Sequence, residues 1–149
     1  MLRYLRTDAA NADFRQLVTA LDADLNTRNG ESQAFFTQFN ALDAIKHVIV
    51  AYDNELPVGC GAIKEYTPGT MEIKRMFVHP TQRGKGIASS ILQELETWAK
   101  DLGYTKCILE TGQKQFEAVA LYHKNGYLMT PNYGPYVNVA DSICFEKQL

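Results

Sequence analysis

The sequence predicts an α/β (α+β) fold built on a mixed sheet with helices on both faces. Two observations carry this. Short runs rich in Val and Ile, bounded by turn residues, are interspersed with stretches of helical period. Their order along the chain reads β-α-α-β-β-β-α-β-α-β-β. With 149 residues, 46% hydrophobic and 21% charged, the chain has the size and composition of one globular domain covering residues 1–149, and no Pro/Gly/Ser-rich linker divides it.

Leu2 to Arg6 form a short first strand. Phe14, Leu17, Val18, Leu21 and Leu25 then share one face of a helix that Asn29-Gly30 stops, and Ser32 to Phe39 form a second, shorter helix. Ile45 to Tyr52 and Pro57 to Tyr66 are strands joined into a hairpin by Asp53-Asn54-Glu55. After the turn Thr67-Pro68-Gly69, Met71 to Val78 complete a meander closed by His79-Pro80. Ile87, Ile91, Leu92, Leu95, Trp98, Ala99 and Leu102 make the longest helical stripe, with Gly103 placed as its C-terminal cap. Lys106 to Thr111 is a strand, and Phe116 to Lys124 is a helix ended by Asn125-Gly126. Tyr127 to Thr130 and Ser142 to Glu146 are the last strands, joined by a loop rich in Pro, Gly and Tyr.

Charge and composition exclude several classes of function. Fifteen Lys+Arg against 17 Asp+Glu leave a net charge of −2, with no basic excess to draw nucleic acid or an anionic membrane. No apolar run reaches the roughly 18 residues of a membrane-spanning helix, and the N-terminus has no apolar leader, so the expected location is cytoplasmic. Cys60, Cys107 and Cys144 are odd in number and sit in strand segments, which points to reduced core thiols. His47, His79 and His123 share no metal-ligand spacing with one another or with the cysteines, and no metal is expected.

The informative segment lies between the strand ending at Val78 and the long helix. It reads His79-Pro80-Thr81-Gln82-Arg83-Gly84-Lys85-Gly86-Ile87-Ala88-Ser89. Gly84 and Gly86 allow the backbone to approach a ligand closely. The N–H groups of the first helical turn lack intrahelical partners and carry the positive end of the helix dipole, with Arg83 and Lys85 beside them. The whole suits a phosphate or pyrophosphate. A Walker A loop is excluded, because His79 stands where its first glycine belongs and Gly86 where its Ser or Thr belongs. A Rossmann fingerprint fits poorly, because its third glycine is Ser89 and five residues separate Val78 from Gly84.

Arg83-x-x-Gly86-x-Ala88 resembles the Gln/Arg-x-x-Gly-x-Gly/Ala motif of the GNAT superfamily of N-acetyltransferases. A second segment, Ala118-Val119-Ala120-Leu121-Tyr122 through Gly126-Tyr127, resembles the family's later Leu-Tyr…Gly-Phe/Tyr motif. The resemblance runs from about residue 2 to 147 and implies a single-domain GNAT-like fold whose central sheet is mixed and mostly antiparallel. The pattern Leu109-Glu110-Thr111-Gly112 to Leu121-Tyr122 looks like a bacterial branch of that family. It implies acetyl-CoA as acyl donor, with its pyrophosphate on the backbone of Arg83, Gly84, Lys85, Gly86, Ile87 and Ala88 and on the Ser89 hydroxyl. The backbone of Met76 and Val78 would pair with the pantetheine arm. Where many members carry a pantetheine-binding Asn, this chain has Gln115 as the candidate replacement.

The resemblance also implies an acetyl group passed by direct attack to a primary amine of a small or amino-acid-like molecule. Tyr122 matches the family tyrosine that protonates the leaving thiolate. Glu72 holds the position of a general base in many members, and strand alternation would place it on the same side as Lys74, Met76 and Val78. Glu110 and a water relay are its rivals. Acceptor residues are expected in Asn26 to Phe39, including Glu31, and in the loop bearing Tyr133 and Tyr136. A non-catalytic acyl-CoA sensor on the same fold is the alternative, and the resemblance leaves room for a homodimer.

Overall fold

Residues 1–29 and 45–149 are described by the computed structural model, with the side chains of 26–29 excepted. The predicted helix Ser32 to Phe39 and Glu31 lie outside the described residues. The remaining order is β1 (Leu2–Thr7), α1 (Ala12–Asn29), β2 (His47–Asp53), β3 (Leu56–Thr67), β4 (Thr70–Val78), α2 (Ile87–Asp101), β5 (Lys106–Gly112), α3 (Phe116–Lys124), β6 (Leu128–Thr130) and β7 (Ser142–Gln148). The strands form one seven-stranded sheet in the order β1-β2-β3-β4-β5-β7-β6. Every neighbouring pair is antiparallel except β4 and β5, as expected for a mixed, mostly antiparallel sheet.

The central strands are apolar on both sides because both sides are covered. Val48, Val50 and Tyr52 of β2 pack with Phe14, Leu17, Val18, Leu21 and Leu25 of α1. Ile49 and Ala51, one step out of phase, join Ile87, Ile91, Leu92, Leu95 and Ala99 of α2 on the other face. Gly59 and Gly61 of β3 let α2 sit close. A Cβ at Gly61 would lie 2.6 Å from Met76 Sδ and 2.8 Å from Leu95 Cδ1, so any larger residue would force Met76 and Leu95 to repack.

Two irregularities prepare the site. In β4, Cys60 faces Phe77 and Ala62 faces Lys74, so Arg75 and Met76 together oppose Gly61. This is a β-bulge, with Arg75 in the left-handed region at φ 58°. The buried Arg75 side chain is held by Asp22 of α1 at 2.8 Å, and its carbonyl faces Cys60 Sγ at 3.4 Å. The second irregularity is the end of sheet pairing. β4 and β5 are in register only at Thr70–Lys106, Met71–Cys107 and Glu72–Ile108. Beyond Glu72 the two strands part, and β5 continues paired to β7 alone as far as Gly112.

Candidate active site

The parted strands open into a cleft of about 430 Å³ that passes from α1 to the N-terminus of α2. Its walls are Ile73 to Val78 of β4 and Glu110 to Gly112 of β5, with α3 contributing Ala118, Leu121 and Tyr122. The glycine loop closes one end. Gly84 and Gly86 adopt φ 82° and 79°, and nothing lies within 4 Å of where either would carry a Cβ. Gly86 caps α2 without a side-chain hydrogen bond. The first backbone bond of that helix runs from Ser90 N–H to the Gly86 carbonyl. The N–H groups of Ile87, Ala88 and Ser89 therefore remain open to a ligand at the positive end of the dipole. Asn125, at the end of α3, donates its Nδ2 to Ser89 Oγ at 3.1 Å, which leaves the Ser89 hydroxyl proton free to be donated.

The basic residues of the loop turn elsewhere. Arg83 Nε donates to the Val78 carbonyl at 2.9 Å, its guanidinium lies 3.8 Å from Asp24 of α1, and Lys85 Nζ donates to Gln82 at 3.0 Å. Their contribution to an anion is a nearby field, while the open contacts belong to the backbone. Gln115 caps α3 and lines the cleft.

The bulge changes which residues share a face. Met76 and Val78 pack with the α2 core, whereas Phe77 packs with α1. Met71 and Ile73 also face α2, so Glu72 and Lys74 face the α1 side. The expectation that Glu72 and Lys74 share a side with Met76 and Val78 is therefore corrected. The extra residue at Arg75 shifts the alternation by one, and strict period two does not survive a bulge. Glu72 still reaches the opening, because the strands part directly beyond it.

On the α1 side, Glu72 is engaged at both oxygens. Tyr133 donates its hydroxyl to Oε2 at 2.6 Å, and Lys74 Nζ stands 3.5 Å from Oε1. Burial lowers the Lys74 pKa against the pull of Glu72. Glu110 accepts a hydrogen bond from Ser142 Oγ at 2.7 Å, and its burial drives its pKa up to about 7. Tyr122 is buried on the α2 side against Tyr127 and Phe145. Burial, reinforced by the charge of Glu110, raises its phenol well above the ordinary value, so it stays protonated at neutral pH. Tyr136 lines the cleft, while Tyr133 stands behind it with the rings 5.7 Å apart.

Sequence reasoning placed Lys74 beside Glu72 but missed Ser142 and Asn125 as members of the site. Asn125 was visible only as a helix stop. Tyr133 and Ser142, the hydrogen-bond partners of Glu72 and Glu110, come from the far end of the chain and left no local pattern. Among the described residues, no group of three or more His, Cys, Asp or Glu side chains could hold a metal, and no helix is long and apolar enough to cross a membrane.

A parted parallel strand pair beside a glycine-capped helix defines a fold family, and comparison with known proteins names it. Residues 9–127 match the model of the acetyltransferase (GNAT) family, and the chain belongs to that family. It is 41% identical over 102 residues to an IAA acetyltransferase of Azospirillum brasilense, covering 68% of this chain and 67% of that protein. Several other relatives are covered over a smaller share, among them a rat N-acetyltransferase of family 8 at 34% of its length. Among solved structures, a Klebsiella pneumoniae protein provisionally assigned as an acyl-CoA N-acyltransferase superposes with TM-score 0.84 at 31% identity, over 100% of this chain and 98% of its own. An Elizabethkingia anophelis GNAT acetyltransferase with acetyl-CoA bound gives 0.72 at 20% identity, over 99% and 98% of the two chains.

Proposed function

We propose that the protein transfers an acetyl group from acetyl-CoA to a primary amine of a small molecule. The observation that carries this reading is the parting of β4 and β5 over the open N-terminus of α2. Unpaired backbone on the inner strand edges suits the amide-bearing pantetheine arm, and the open N–H groups of Ile87, Ala88 and Ser89 suit its pyrophosphate. Acetyl-CoA bound to a structural neighbour of the same fold supports the choice of donor.

Met76 N–H, beside the bulge, is placed to polarise the thioester carbonyl as negative charge develops on its oxygen. The amine attacks from the α1 side, where the carboxylates of Glu72 and Glu110 face the opening and can take its proton. Tyr122, held protonated by burial, gives a proton to the departing sulfur from the opposite side. Tyr136 supplies an aromatic wall for the acceptor. Glu31 remains the proposed contribution from outside the described residues, and cytoplasmic action is part of the same reading.

Two measurements test it. Calorimetric titration with acetyl-CoA, CoA, NAD and ATP should show binding of the first two only. Release of free thiol in the presence of a panel of primary amines should exceed release in water. Binding without amine-dependent thiol release would instead support an acyl-CoA sensor.

A further inference from the structure

Three ion pairs hold charged groups around the cleft. Arg75 is paired with Asp22 at 2.8 Å, Arg83 with Asp24 at 3.8 Å and Lys74 with Glu72 at 3.5 Å. Of the two carboxylates that β4 and β5 turn toward the opening, Glu110 is the one outside these pairs. Among the described residues no cation stands within ion-pair distance of it, and its one hydrogen bond comes from the neutral hydroxyl of Ser142. It lies two positions past Ile108, the last residue of β5 in register with β4. It is thus the first residue of its face to look into the opening.

We infer that Glu110 binds the acceptor as its ammonium ion and takes its proton, while Glu72 is a positioning residue that fixes Tyr133 and Lys74. This rests on the acetyl-transfer reading above and assigns the proton acceptor within it. Protonating Glu72 would break its ion pair with Lys74 and weaken its bond from Tyr133. Protonating Glu110 breaks no ion pair and leaves Ser142 in place.

Electrostatics agree with that division. Burial raises Glu110 to about 7, helped by the charge of Glu72 on β4 and opposed by Lys74 on β4 and Ser142 on β7. Tyr122 of α3, Tyr136 of the late loop and Cys144 of β7 all feel its charge in turn. A carboxylate of this kind is ionised often enough near neutral pH to receive a proton, and basic enough to keep it. Proton accounting closes. One ammonium proton passes to Glu110 and on to solvent, and the freed nitrogen bonds to the acyl carbon. The C–S bond breaks, and Tyr122 lends its proton to sulfur. Glu110, its first proton released, takes the second proton from the newly acylated nitrogen, the last stays on the amide, and solvent reprotonates Tyr122, so that one proton is released in all.

The test compares wild type, Glu110→Gln and Glu72→Gln. It measures kcat/KM from about pH 5 to 9 with the fastest primary amine of the panel, and acetyl-CoA affinity by calorimetry. Wild type should show an ascending limb near pH 7. Glu110→Gln should lose roughly 10²-fold or more at neutral pH and move its limb up to the ionisation of the amine itself, with acetyl-CoA affinity retained. Glu72→Gln should keep the limb near 7 and raise the acceptor KM. As an independent readout, carbon NMR of carboxyl-labelled glutamate should show one group titrating near 7 in wild type, absent from Glu110→Gln. A Glu110→Gln profile that overlays wild type, or a limb abolished by Glu72→Gln, overturns the assignment and leaves acetyl transfer intact. Failure of wild type to bind acetyl-CoA or to acetylate any amine overturns the acetyl-transfer reading and this assignment with it.

Discussion

Tyr133 and Glu72 lie 61 positions apart in sequence and meet at 2.6 Å, the hydroxyl of one donating to Oε2 of the other. This bond pins the loop after β6 against the point where the strands separate, so the shape of the acceptor wall depends on a carboxylate of the central sheet. Tyr133→Phe should raise the acceptor KM while leaving acetyl-CoA affinity unchanged. It should also lower stability by about 1.5–3 kcal/mol, the range for a hydrogen bond to a charged partner. Urea denaturation and steady-state kinetics read the two effects separately, and a variant with wild-type acceptor KM would detach the loop from the acceptor.

The glycine loop offers a clean charge test. At Gly86 any side chain meets the same left-handed backbone, φ 79°, a region that Asn and Asp tolerate better than most residues. Gly86→Asp and Gly86→Asn therefore carry similar strain and differ in charge. Acetyl-CoA affinity should fall further for the Asp variant, by about 2 kcal/mol relative to Asn, the scale of one charge-assisted contact. Equal affinities in calorimetry would remove pyrophosphate from this end of the cleft.

Tyr122→Phe should act on turnover and spare binding. The hydroxyl matters when charge develops on sulfur, so its loss belongs in kcat, by roughly 10²–10⁴-fold where chemistry limits the rate. Pre-steady-state kinetics establishes which step limits. A wild-type kcat under rate-limiting chemistry would rule Tyr122 out as the acid.

Glu110 has a signature in stability as well. Its folded pKa of about 7 lies above its ordinary 4.5, so the folded state binds the proton more tightly than the unfolded chain does. The native state is thus favoured at low pH and loses up to about 3 kcal/mol as the pH climbs from about 4.5 to 7, at 1.36 kcal/mol per unit. Glu110→Gln carries no such cost. It should be more stable than wild type at about pH 8, with most of the advantage gone near pH 4. Paired urea titrations at the two pH values check this, and a pH-independent difference would refute it.

The framework was legible in the sequence because its causes are local. The stripe from Ile87 to Leu102 has helical period, and Gly84 and Gly86 mark a turn whatever surrounds them. The bulge at Arg75 was not legible. Its setting is non-local, with the Arg75 side chain bound to Asp22 on α1, and it reversed the facing of Met76 and Val78 relative to Glu72. The partners of the two glutamates were hidden for a related reason. Tyr133 and Ser142 approach β4 and β5 only once β7 has been inserted beside β5, a pairing that no short stretch of sequence records.

A sheet that pairs at three positions and then separates contains an edge in its middle. Beyond Glu72 and Ile108, the backbone groups that β4 and β5 turn toward each other have no strand to bond, although both strands lie deep inside the molecule. Such a seam is where amide protons exchange first. The inner edges should trade hydrogen for deuterium faster than β2 and β3, which are flanked by strands on both sides. A guest that supplies amides of its own would complete the ladder and slow that exchange, so that occupancy of the cleft becomes part of the protein's secondary structure.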